Sequence, residues 1–123
     1  MMKHVVVAVL AAAIAMSAGR AALAHAFLDN ATPKVGAVLR AAPKAIRMQF
    51  TQPIEPAFSH IWLFTRDGKP VNTGPVTTEP SDQTQVIAPI VGTLPPGRYE
   101  VRWDVLSVDT HRTNGHFPFT YQP

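Results

Sequence analysis

Twelve prolines, all after position 24, punctuate this 123-residue chain. Each one removes a backbone donor and clashes with the preceding turn of a helix, and no helical period survives for a dozen residues between them. What remains is a series of short extended runs. In GRYEVRWDVLSV, Tyr99, Val101, Trp103 and Val105 fall on one face while Glu100, Arg102 and Asp104 fall on the other, the period of a half-buried strand. AIRMQF repeats the pattern, with Ile46, Met48 and Phe50 inside and Arg47 and Gln49 outside. SHIWLFTRDGKPV runs into an Asp67-Gly68 hairpin signal, and TQVIAPIV and GHFPFTY supply two further strands. Pro89 and Pro118 belong at edges or bulges, since a central ladder needs the amide hydrogens they lack. Polar, turn-rich NTGPVTTEPSDQ, 72–83, reads as the longest loop. The strand-borne aromatics Trp62, Trp103, Phe50, Phe117 and Phe119 read almost entirely as core. Short strands without intervening helices predict a single all-β domain, an antiparallel sandwich or small barrel.

The first 24 residues have a different grammar. Lys3 precedes an uncharged run from Val5 to Ala18, and Ala22-Leu23-Ala24 supplies the small-x-small pattern of a secretory signal. The run is too short for the roughly 20 apolar residues of a membrane span. The expectation is a signal peptide, 1–24, cleaved after Ala24, and a domain, 25–123, with no stable membrane insertion after cleavage. Lys3 and Arg20 leave with the segment, which takes the formal charge from +3 to about +1. A basic footprint for nucleic acid disappears with them. With no cysteine in the chain, the domain depends on packing, and a metal would be held by nitrogen and oxygen or by methionine sulfur.

Cleavage after Ala24 would make His25 the first residue, with a primary amine and an imidazole that can chelate one ion. Reference pKa values of about 7.7–8.0 for such an amine and about 6.5 for imidazole let both lose protons to a Lewis acid near neutrality. A second piece lies in SVDTHRTNGH, where Asp109 and His111 are two residues apart after the strongest strand. In an extended chain such residues share a face. An amine, two imidazoles and a carboxylate form a nitrogen-rich set that suits Cu(II). Against that stands the ordinary reading of a turn beside a surface histidine.

HAFLDNATPKVGAVLRAAPKAIRMQFTQPIEPAFSHIWLF and LPPGRYEVRWDVLSVDTHRTNGHFPFTY together resemble the CopC copper-resistance family of periplasmic copper-binding proteins, over nearly all of 25–123. The resemblance implies a Greek-key β-sandwich or barrel of cupredoxin- or immunoglobulin-like kind, in the periplasm. It also implies one Cu(II) ion per chain at His25, Asp109 and His111, and a possible inner-membrane partner of the CopD type. The chain departs from some relatives in carrying Phe27 where they have a third-position histidine, and Gln52 where they have a glutamate. Met48 is the sole methionine after Ala24, so no methionine-rich Cu(I) loop is expected. His116 reads as a surface residue, and His60 as partly buried with Glu55 as a partner.

The resulting expectation is a copper carrier or buffer, not an enzyme, whose first residues close over the metal and become ordered by it. Two rivals come from other classes. A histidine-brace copper oxidase would also begin with histidine, and a metal-free immunoglobulin-like interaction module would use Asp109 and His111 only as a turn.

Overall fold

The computed structural model describes residues 25–123; the expected signal segment, 1–24, lies outside the described residues. Among the described residues nine strands follow in order: β1 (Leu28–Thr32), β2 (Val38–Leu39), β3 (Ala45–Phe50), β4 (His60–Thr65), β5 (Pro70–Val71), β6 (Thr77–Glu79), β7 (Asp82–Pro89), β8 (Gly97–Leu106) and β9 (Arg112–Tyr121), with one 3-10 turn at Pro56–Phe58. They form two sheets, β1-β3-β7-β6 and β2-β9-β8-β4-β5. The all-β expectation is met as a sandwich. All neighbouring strands pair antiparallel except β2, which lies parallel to β9.

The alternation read in the sequence is what holds the two sheets together. Tyr99, Val101, Trp103 and Val105 of β8 face Ile46, Met48 and Phe50 of β3 in one buried cluster, joined by Phe117 and Phe119 of β9. Each fully buried large side chain contributes about 1.5–3 kcal/mol. Phe50 meets Trp103 edge to face at 5.1 Å, the arrangement the ring quadrupoles favour. The longest ladder, β8 with β9, runs from Gly97↔Tyr121 to Leu106↔Arg112 and ends where the candidate site begins.

Four details differ from the sequence reading. Trp62 is 43 % exposed: it points outward from β4 and stacks on His60, ring centroids 5.4 Å apart and planes 7° apart. His60 is therefore exposed on that outer face and paired with Trp62, not partly buried beside Glu55. The stretch 72–83 is not one loop, because β6 and the start of β7 lie in it. Pro118 sits inside β9 opposite Glu100, yet its carbonyl accepts from Gly36 N–H at 2.7 Å on the other side. A strand residue's nitrogen and carbonyl point the same way, so the missing hydrogen faces the side where β2 reaches only Thr120 and Tyr121.

Candidate metal centre

The β8–β9 connection is the five-residue stretch 107–111. Its frame is Ser107, which is 1 % exposed and forms an isolated bridge with Ile54. Ser107 N–H donates to the His111 carbonyl at 2.9 Å, and Thr110 N–H donates to the Ser107 carbonyl at 2.9 Å. From outside, Val108 N–H reaches the Pro53 carbonyl at 3.0 Å and Glu55 N–H reaches the Leu106 carbonyl at 2.8 Å. Thr110 closes the turn at φ 73°, a left-handed conformation uncommon for a β-branched residue. Asp109 and His111 are thus brought together by a folded turn, not by the shared face of an extended strand.

Within that turn the side chains converge. Asp109 Oδ2 lies 3.4 Å from His111 Nδ1, longer than a well-formed N–H···O bond. The Ser107 hydroxyl donates to Asp109 Oδ1 and accepts from His111 N–H at 3.3 Å. The Asp109 carboxyl is held below its ordinary value of 3.8, chiefly by the Ser107 hydroxyl; burial opposes this, and hydrogen bonds and charge from His111 add to the lowering. Nearby, the Arg112 guanidinium is engaged by Asp104 at 2.8 Å and by the Phe58 carbonyl at 3.1 Å.

His25 arrives from the other sheet. Ala26 is fully buried, and its carbonyl accepts from the Thr113 hydroxyl at 3.0 Å. Phe27 N–H donates to Thr51 Oγ1 and Thr51 N–H to the Phe27 carbonyl, both at 2.9 Å. These bonds lead the chain into β1 and hold the His25 ring against that of His111, centroids 4.6 Å apart at 67°. Ala26 and Phe27 are therefore anchored by the protein's own contacts, which brings His25 to the turn.

All three sequence-derived residues fall in one place, His111 touching both of the others. Among the described residues no three His, Cys, Asp or Glu side chains close into a metal-binding group; the His25–His111 and His111–Asp109 pairs share one member. A backbone amine at His25 would add a donor that is not a side chain. His116 stays apart, exposed and 3.4 Å from Glu100, and Met48 is buried in the core. Spacing alone did not single out Ser107, Thr51 or Thr113 as supports. Serine side chains commonly bond to backbone groups a few residues away, and that habit was the available signal for the first.

Comparison with known proteins is consistent across sequence and fold. The CopC domain model matches residues 28–122. "Protein YobA" of Escherichia coli (strain K12) is 38 % identical over 97 residues, 79 % of this chain and 78 % of that one. "Copper resistance protein C" of Escherichia coli is 28 % identical over 120 residues, 92 % of this chain and 94 % of that one. Among solved structures, CopC from Methylosinus trichosporium OB3b superposes with a TM-score of 0.76 at 30 % identity, covering 80 % of this chain and 95 % of that chain.

Proposed function

This chain belongs to the CopC domain family, and from that premise we propose that it is a periplasmic Cu(II)-binding protein that carries or buffers one copper ion and is not an enzyme. A copper-related function follows the family and relatives such as the Escherichia coli copper resistance protein C. The finer reading rests on one observation: the His25 and His111 rings meet at 4.6 Å although they come from opposite sheets.

In this reading the amine and ring of His25 and the ring of His111 supply nitrogens, a donor set that favours Cu(II). Asp109 supplies an oxygen on the same side. Asp109 Oδ2 and His111 Nδ1 are 3.4 Å apart, close enough for both residues to face one ion. The carboxylate also offsets part of the ion's charge. Nitrogen and oxygen ligands hold Cu(I) poorly, so the ion is carried as Cu(II), with an inner-membrane protein of the CopD type as recipient.

The test is a Cu(II) competition titration on protein beginning at His25 and on protein with one extra residue before it. Loss of several orders of magnitude on extension identifies the amine as a ligand. Equal affinities refute that role and leave His25 an ordinary residue. The paired histidines also suit a histidine-brace oxidase, which ascorbate-driven peroxide formation above that of free copper would reveal.

A further inference from the structure

The supports of the site include one side chain whose role is not exhausted by holding the hairpin together. Ser107 Oγ lies within reach of three groups: Asp109 Oδ1, His111 N–H and, at 3.0 Å, the His111 carbonyl. A hydroxyl has one proton to give, so only one of the two acceptors can receive it. The His111 carbonyl already accepts Ser107 N–H at 2.9 Å. Asp109 is an ionised acceptor, to which hydrogen bonds are about twice as strong as to a neutral one. The proton therefore goes to Asp109, and an oxygen lone pair accepts His111 N–H. One hydroxyl fixes the side chain of Asp109 and the backbone of His111 at once.

We propose that Ser107 is a positioning residue for the metal, whose buried hydroxyl sets the Asp109 carboxylate against the His111 ring and so tunes copper affinity and coordination geometry. This rests on the copper reading above. With Oδ1 tied to Ser107, the second oxygen is turned toward His111 Nδ1. Without that bond the aspartate, 36 % exposed at its side chain, is free to sample rotamers that carry Oδ2 into solvent. The hydroxyl can act in this way because it is fixed itself: Ser107 is 1 % exposed, bridged to Ile54, and its own N–H is bonded. Functional sites need their groups held to about half an ångström, and loss of outer hydrogen-bond partners commonly weakens metal binding about 10–100-fold.

The experiment compares protein beginning at His25 with Ser107→Ala and Ser107→Thr, the latter keeping the hydroxyl. Cu(II) affinity is read by competition, coordination by electron paramagnetic resonance, and the metal-free turn by exchange of the His111 amide. The expected result is about 10–100-fold weaker binding in Ser107→Ala, altered copper hyperfine splitting and faster His111 exchange, each reversed toward wild type by Ser107→Thr. Unchanged affinity and spectrum in a folded Ser107→Ala protein overturn the proposal and leave Ser107 a hairpin residue only. Should that variant not fold, Ser107→Cys, nearly isosteric but with only a weak S–H donor, is read by exchange of the His111 amide in the metal-free protein; exchange as slow as in wild type then overturns the proposal. Failure of the wild type to bind Cu(II) would sink the copper reading itself, and this inference with it; that result is read from the wild type alone.

Discussion

Single residues carry contrasting costs in this molecule. Thr110 sits at φ 73° between two proposed ligands, and left-handed backbone costs an L-residue with a Cβ about 1–2 kcal/mol. Asparagine tolerates that region far better, so Thr110→Asn should stabilise the protein by about 1 kcal/mol, raising Tm by roughly 4–8 °C. Thermal unfolding checks it, and an unchanged or lower Tm would show that the turn is not strained. Asp82 behaves in the opposite way. Its carboxylate accepts both the hydroxyl and, at 3.1 Å, the N–H of Thr84, which holds its pKa below 3.8. A depressed carboxyl stabilises the fold above its unfolded pKa and loses that contribution as pH falls through the folded value. The stability difference between wild type and Asp82→Asn should thus be constant at neutral pH and shrink below pH 3.8; denaturant melts across that range measure it, and a difference independent of pH would contradict the assignment.

At the scale of elements, the β8–β9 hairpin is both the centre of one sheet and the stem of the site. Gly115 lies opposite Trp103 in the ladder, and a Cβ there would come within 2.6 Å of Trp103 Cζ2 and 2.9 Å of Cε2. The indole lies against the glycine backbone and also meets Phe50 edge to face, so its withdrawal would disturb the core packing. Gly115→Ala should destabilise the domain by about 1–3 kcal/mol and alter the near-ultraviolet dichroism of the tryptophans. A melt and a spectrum like those of wild type would mean the indole has room. Trp103 was legible in the sequence because period two with strong apolar contrast leaves one choice of face. Trp62 was not, because every residue of HIWLFT except His60 and Thr65 is apolar, and uniform hydrophobicity does not say which side is in. β6 escaped notice for the converse reason: Thr77–Glu79 is polar and short, as suits a sheet edge, and composition alone marks such a stretch as loop. Asp109 and His111 could be paired from their spacing, though the reason was a turn. That His25 would meet them depends on long-range pairing of β1 with β3 and of β8 with β9, which no local pattern encodes; the resemblance to CopC proteins supplied that part.

For the whole molecule, the site is a place where two sheets are tied. His25 leads into β1 of the four-stranded sheet and His111 into β9 of the five-stranded sheet, and the bond from Thr113 to Ala26 joins residues 87 positions apart. An ion held by His25 and His111 therefore closes nearly the entire domain into a loop, and it can be held that way only when both sheets are in place. Ligand that binds the folded state alone adds stability by mass action, about 2.7 kcal/mol at a free concentration 100 times Kd. For a domain of this size that corresponds to a rise in Tm on the order of 10–20 °C. Copper buffered at that level should produce the rise in protein beginning at His25. His111→Ala should remove most of it while melting near the wild type without metal, because His111 is exposed by 45 % at its side chain and outside the buried core. Scanning calorimetry with buffered Cu(II) makes the comparison. An equal rise in both proteins would place the ion elsewhere, and no rise in either would mean that the two sheets are not joined through copper.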